Sequence, residues 1–388
     1  MKERPQREFA LAPGGPVDRA QAWMKITTPD SPRLGPRALV AALLAWLPLV
    51  VMVILHPNPE ADISFLRDIA AHARFLLILP LLLIAEGPIR ERSRMVVSHF
   101  RSSGLVADED IPRFDALVRK GTRLVDSTLA ELLVMLLSAA LVYSAMRGVL
   151  SEQAVFWFEK VTAQGHGLSL AGWWYAAVAT PVFVFLMVRW LWRYLVWWWF
   201  LGRVATIDLR LTGTHPDRAG GLGFVSFHQS VFAFLTFAVG CAVSAAAANR
   251  ILYAGATLVS YKVPIIGIAA GAVILGIAPL LVFTPRLLAA KRNGWSTYSQ
   301  FSSDYVLKFE QKWFTPGGTR DEALGSGDIQ SLADLGGSFE RLVHMQVVLL
   351  DRRLILSFLF AAVGPMLPLL LTMMPLKEII RVLLKALI

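Results

Sequence analysis

Apolar residues along this chain gather in long blocks that charged loops separate. Seven blocks are long enough to cross about 30 Å of hydrocarbon as a helix, which takes roughly 20 residues. They are too long and too uniformly apolar for the strands of a membrane barrel. The pattern therefore predicts an all-α, polytopic transmembrane bundle with cytoplasmic helical loops. The seven predicted spans lie at about 38–55, 73–90, 128–147, 172–200, 225–248, 263–288 and 354–374.

The blocks and the polar segments between them divide the chain into four parts. Pro, Gly and charged residues in the N-terminal part predict disorder, and the last part combines a span with an amphipathic pattern. The predicted parts are a largely disordered tail at 1–37, six spans at 38–288, a helical segment outside the membrane at 289–352, and the last span with an amphipathic tail at 353–388.

The segment 289–352 has local signals for helix ends. Gly336 and Gly337 are typical of a helix stop, and Ser338 is typical of the next helix start. We therefore predict two short helices here, packed beneath the membrane.

The composition agrees with a membrane protein and changes how the net charge is interpreted. Hydrophobic residues make up 55% and charged residues 17%, whereas a soluble domain carries about 25% charged residues. The net charge of +10 would suggest nucleic acid in a soluble protein, but membrane orientation explains it here. We expect the lipid bilayer as the partner and no nucleic acid. The single cysteine, Cys241, excludes an intrachain disulfide.

Lys and Arg concentrate in every second loop. The N-terminal tail and the loops after the second, fourth and sixth predicted spans are rich in them, whereas 56–72 holds only Arg67 and 150–171 holds only Lys160. Positively charged loops stay in the cytoplasm. The chain is therefore predicted to lie in a membrane with its N-terminus in the cytoplasm.

The stretch THPDRAGGLGF, residues 214–224, is a polar loop directly before an apolar block. Its glycines permit positive φ and a close backbone approach, and successive N–H groups at a helix start can bind an anion. The arginine can bind phosphate or carboxylate, and the His and Asp can act as an acid–base pair. The candidate ligand or gating residues are His215, Asp217, Arg218, Gly220, Gly221 and Gly223.

Two other interpretations of this loop stay open. In the first, Asp217 accepts backbone N–H groups in an ordinary turn and Arg218 marks the membrane interface. In the second, His215, Asp217, His228 and Asp208 bind a metal, but this ligand pattern is weak. We therefore expect no metal and no cofactor, and an anionic ligand or lipid headgroup is the partner predicted for the loop.

Charged residues inside the apolar blocks form a second group of candidates. Glu86 precedes a Gly-Pro helix break, Glu131 begins the third span, and Arg189 lies in the fourth. Charges at membrane depth are costly and are usually paired or line a pathway. All three are predicted near the cytoplasmic side, where they can meet. Arg193 is interpreted instead as extending to the interface beside the aromatic end of its span.

Two motifs carry a resemblance to a known family. HPDRAGGLGF and the later GDIQSLADLGGSFERL, followed by a last span and an amphipathic tail, are similar to a family of uncharacterised bacterial multi-pass membrane proteins. The resemblance covers the chain from about the fourth span onward. It implies a bacterial inner-membrane protein with a similar helical plan, and it transfers no activity and no functional residue.

Three functions fit these observations. Intramembrane charges, prolines within spans and small-residue faces favour a transport or channel-type protein of unknown cargo, assembled as a homo-oligomer. A membrane enzyme acting on a lipid or phosphate compound is the alternative, although no Walker loop, His-Glu-x-x-His or Gly-x-Ser-x-Gly motif is present. A scaffold or sensor that binds a partner through 289–352 is the third.

Overall fold

A computed structural model of the chain describes residues 11, 34–58, 64–149, 157–162, 165–315 and 327–372. It confirms the predicted all-helical fold: seven of its helices are long and apolar enough to cross a membrane. The chain is therefore a multi-pass helical membrane protein.

The helices are numbered here in chain order, and those that contain short 3₁₀ or π turns are counted as one. The seven spanning helices are α1, α2, α4, α5, α6, α7 and α9. The bounds are α1 Leu34–Leu55, α2 Ile69–Ser102, α3 Ile111–Val125, α4 Thr128–Val149, α5 Leu170–Val204, α6 Gly223–Tyr253, α7 Leu258–Phe314, α8 Gly327–Val343 and α9 Arg352–Thr372.

A small hairpin lies between α4 and α5. Strand β1 (Glu159–Thr162) pairs antiparallel with β2 (Gly165–Leu168), with Glu159 opposite Leu168. Since α5 follows the hairpin directly, the hairpin marks the end of the bundle where α5 begins. The loop 205–222 marks the other end.

The spans differ in how far the protein itself covers them. Helix α6 is the most buried span, α2 and α5 follow it, and α1, α4 and the apolar part of α7 are the least buried. Leucines on the outer face of α4, such as Leu129, Leu133 and Leu136, are exposed, as suits side chains that contact lipid. Helices α2, α5 and α6 thus form the centre.

Helix α9 packs tightly against the central α6. Ser244 donates to the carbonyl of Pro365 over 2.7 Å, and Thr236 donates to that of Phe358 over 3.4 Å. Hydroxyl groups that bond across helices satisfy polar atoms where water is absent. The last span is therefore an integral part of the bundle.

One local prediction for 289–352 is wrong. Gly336 and Gly337 do not end a helix, because α8 runs through them to Val343. Glycine within a helix costs only about 1 kcal/mol of stability. A contact beyond the two glycines also holds α8 in place, since Phe339 packs on Trp295 with ring centroids 5.3 Å apart. The predictions for the tail 1–33 and for the tail after Thr372 lie outside the described residues.

Candidate functional site

Five charged side chains meet inside the bundle. Glu86 Oε2 accepts from Arg37 Nη1 over 2.7 Å, and Glu86 Oε1 accepts from Arg193 Nη1 over 3.1 Å. Arg189 Nη1 lies 3.8 Å from Glu86 Oε1, and its Nε lies 3.6 Å from Glu131 Oε1. All five side chains are at most 7% exposed. We call this group the Glu86 cluster.

The position of Glu86 follows from the break in α2. Pro88 has no N–H, so it cannot bond the carbonyl four residues back, and the helix turns at Ala85 before it resumes at Glu86. The Trp190 indole N–H donates to the carbonyl of Leu82 over 2.8 Å, which ties the broken region to α5. The break therefore sets Glu86 against the arginines of the neighbouring helix.

Two members of the Glu86 cluster depart from the sequence analysis. Arg193 is 2% exposed and pairs with Glu86, so its interpretation as an interfacial residue is wrong. Arg37 belongs to α1 rather than to a disordered tail, and it is buried beside the same carboxylate. In the sequence, the position of Arg37 at the start of an apolar block was the signal that it belongs to the charges within the bundle.

A second polar group lies near the hairpin. The Asp68 carboxylate accepts from the amide of Asn249 over 2.7 Å, from the indole N–H of Trp157 over 2.9 Å and from the backbone N–H of Ala71 over 3.0 Å. We call this group the Asp68 cluster. Sequence reasoning missed it, although Asp68 lies a few residues before a predicted span and Asn249 directly follows one.

Helices α2 and α5 each contain a π turn shortly before a proline. The turns cover Ala73–Ile78 and Tyr175–Ala179. They lie side by side, because the Arg74 guanidinium donates to the Tyr175 hydroxyl and also lies beside the ring of Phe183. Such π turns are frequent at functional sites. The two adjacent π turns therefore continue the polar region at the hairpin end of the bundle further toward the membrane interior.

An apolar layer separates the two polar regions along α2. The residues between Arg74 and Glu86 that face the protein interior are apolar, and at about 1.5 Å per residue the two charges stand roughly 18 Å apart along the helix. The buried members of this layer on α2 are Phe75, Ile78, Leu79, Leu82 and Leu83. Residues 75–85 are all apolar, so no polar side chain of α2 lies between the two polar regions.

The loop 214–224 is organised around one carboxylate. Asp217 Oδ1 accepts from the N–H groups of Ala219 (2.8 Å) and Gly221 (3.1 Å), and Oδ2 accepts from that of Gly223 (2.9 Å). His215 Nδ1 lies 2.7 Å from Oδ1. Burial by itself raises the pKa of Asp217, but the hydrogen bonds from these N–H groups and from His215 outweigh it, and the net shift is downward.

The backbone of the loop has the left-handed turns that its glycines permit. Gly220 and Gly221 have φ of 66° and 97°, and Arg218 has φ of 55°, which costs a residue with a Cβ about 1–2 kcal/mol. The side chain of Arg218 is exposed, and its carbonyl accepts from Gln346 N–H over 2.7 Å. The N–H groups expected to bind an anion thus face Asp217, and a ligand at this loop stays a prediction.

The second motif of the sequence analysis contacts the chain just before the first motif. Leu342, the last residue of the second motif, is fully buried, and it lies so close to Gly213 and Gly294 that a Cβ on either would collide with it. Lys291 Nζ donates to the carbonyls of Val343 and Met345, both over 2.8 Å, at the end of α8. Helix α8 is therefore fixed to the loop 205–222 and to α7.

The metal interpretation finds no assembled ligand set. Among the described residues, no three His, Cys, Asp or Glu side chains lie together as a metal site requires. Asp208 pairs with Arg286 over 3.2 Å. His228 is 1% exposed and packs on Trp197 with ring centroids 4.4 Å apart. The described residues thus place these candidates in separate surroundings.

A scan against protein-family models finds no match to this chain, and neither a curated protein nor a solved structure matches it. The resemblance carried by the two motifs therefore remains a prediction. Inferences about function have to start from the contacts of the chain's own residues.

Proposed function

We propose that this chain is a transport or channel-type protein of a bacterial inner membrane, and that its cargo is a small anion. The observation that carries the proposal is the Glu86 cluster, in which three guanidinium groups surround one carboxylate at membrane depth. Guanidinium groups bind carboxylates and phosphates through paired hydrogen bonds. An anion that competes with Glu86 for these groups would enter a preformed site.

The arrangement of the central helices supports the same proposal. The Asp68 cluster lies at the start of α2 and the Glu86 cluster near its middle, and the apolar layer lies between them. A transporter with a closed gate needs polar regions on both sides of such a layer. The π turns and prolines of α2 and α5 provide places where these helices can bend.

Assembly into a homo-oligomer is part of the proposal. Gly267 and Gly271 of α7 have the four-residue spacing that lets two membrane helices approach closely. In the part of the chain that the structure describes, no group of another helix lies within 4 Å of a Cβ built on either. We also propose that the chain belongs to the bacterial family that its two motifs resemble, a view that the proximity of the two motifs supports, since Leu342 contacts Gly213 just before the first motif.

Reporter fusions test the proposed orientation. A cytoplasmic N-terminus, seven spans and the basic loops together predict that residue 215 lies in the cytoplasm and residue 160 on the opposite side. A reporter active only in the cytoplasm should give signal at 215 and none at 160, and a periplasmic reporter should give the converse. The reversed pattern would contradict the orientation.

Flux through reconstituted vesicles tests the proposed activity. Purified full-length protein in lipid vesicles should raise the flux of at least one of three probes, chloride, inorganic phosphate or succinate, above that of empty vesicles. Glu86→Gln should change that flux at least about tenfold, because it removes the carboxylate with which the anion competes.

Asp304→Asn is the matched control for this experiment, since Asp304 is exposed and pairs only with Lys308 of the same helix among the described residues. It should leave the flux unchanged. Vesicles with wild-type protein that pass none of the three probes faster than empty vesicles would overturn the proposal.

A further inference from the structure

The outer face of the last turns of α5 bears a depression of about 490 Å³. Its lining changes from apolar to polar toward the end of the helix, because an aliphatic side chain comes first, indole rings follow, and a guanidinium and a hydroxyl come last. The lining residues are Leu195, Trp198, Trp199, Gly202, Arg203 and Thr206. Gly202 leaves the middle of the depression open, since none of the described residues outside its own helix turn lies within 4 Å of a Cβ built on it.

Helix α3 packs beside the last turns of α5. Its apolar face, which includes Phe114 and Val118, is buried, and the indole N–H of Trp192 donates to the carbonyl of Leu124 over 3.3 Å. These contacts hold α3 against α5. They bring Lys120 Nζ to 5.6 Å from the centre of the Trp199 ring.

The cations at the depression are available to an outside anion. Arg203 and Lys120 are both exposed, and no carboxylate of the described residues forms an ion pair with either. Arg119 and Arg123 add two further exposed positive charges on α3. The depression therefore combines an apolar groove with an unneutralised positive rim.

We propose that this depression binds one glycerophospholipid with an anionic headgroup. The phosphate lies between Arg203 and Lys120, where guanidinium and ammonium groups donate to its oxygens. Its acyl chain follows Leu195 and Trp198 into the bilayer. Tryptophan favours the headgroup level of a membrane, and clustered Lys and Arg bind anionic lipids there. The site does not depend on the proposed transport activity.

Binding of phosphatidylglycerol to delipidated full-length protein in detergent tests the site, with native mass spectrometry as the readout. Removing both cations by K120Q/R203Q should weaken this binding about 25-fold, since each charge contributes roughly fivefold near an anionic lipid. Gly202→Leu, which fills the groove and keeps both charges, should weaken it several-fold. Phosphatidylcholine should bind more weakly than phosphatidylglycerol to the wild type.

Matched controls separate a site from general charge attraction. R292Q/R341Q removes two exposed cations on other helices, α7 and α8, and should leave the affinity unchanged. Soluble glycerol phosphate should bind far more weakly than the lipid, because it cannot use the groove. Equal affinity of the wild type and K120Q/R203Q, full affinity in Gly202→Leu, or equal binding of glycerol phosphate and lipid would overturn the proposal.

Discussion

Glu86→Gln should lower the free energy of unfolding by about 3–5 kcal/mol, the usual cost of removing one partner from a buried ion pair. The carboxylate contacts Arg37, Arg189 and Arg193, and its side chain is 1% exposed. A glutamine keeps the shape but not the charge. Each of the three guanidinium groups would then lose an anionic contact at a depth where water cannot replace it.

Unfolding in a denaturing detergent, followed by the fluorescence of the 12 tryptophans, measures this effect. Asp304→Asn breaks an exposed pair within one helix and should change the same free energy by less than about 0.5 kcal/mol. Arg37→Gln should cost less in the Glu86→Gln background than in the wild type, because the two groups interact directly. Equal stability of Glu86→Gln and wild type would show that the cluster contributes nothing to the fold.

The seven spans could be predicted from the sequence because a membrane imposes one length scale on every apolar block. The residues at which the spanning helices end could not be predicted in the same way. Helix α2 continues to Ser102, since a helix leaving the bilayer can extend as a polar helix that packs on other segments. The apolar pattern reports where hydrocarbon ends, and it says little about where the helix ends.

The pairing of buried charges was only partly predictable. Glu86, Glu131 and Arg189 were candidates because charge inside an apolar block is rare and costly. Arg37 and the Asp68–Asn249 contact were missed, because each joins residues that are distant in sequence and lie at the edges of spans. Which edge residues turn inward depends on helix rotation, which packing sets.

The aromatic end of α5 shows the same limit. Trp and Tyr near a span end are typical of interfacial anchors, and Trp198 is exposed in this way. Trp190 and Trp197 are instead fully buried, and Trp197 donates to Gln229 over 3.0 Å. Composition alone could not distinguish the two faces of this helix, since both are aromatic.

Asp217→Asn should lower the free energy of unfolding by about 2–3 kcal/mol. The two carboxylate oxygens accept from Ala219, Gly221 and Gly223, but an asparagine offers one oxygen and one NH₂ group. In either orientation, at least one backbone N–H would face another donor. The same unfolding measurement on Asp108→Asn is the control: this exposed aspartate caps no helix through its side chain and should change stability by less than about 0.5 kcal/mol.

The pH dependence of the difference in unfolding free energy between wild type and Asp217→Asn tests whether the Asp217 carboxylate causes that difference. The pKa of Asp217 is lowered in the folded protein, whereas an unfolded aspartate titrates near about 3.9. Because the folded pKa is the lower of the two, the stabilisation is complete above the unfolded pKa and is lost as pH falls through the folded pKa. The stability gap between wild type and Asp217→Asn should therefore be constant above about pH 5 and narrow below about pH 4. Equal destabilisation by Asp108→Asn, or a gap that does not narrow in acid, would mean that loop 214–224 does not depend on this charge. The glycines and the docked end of α8 would then hold the loop without it.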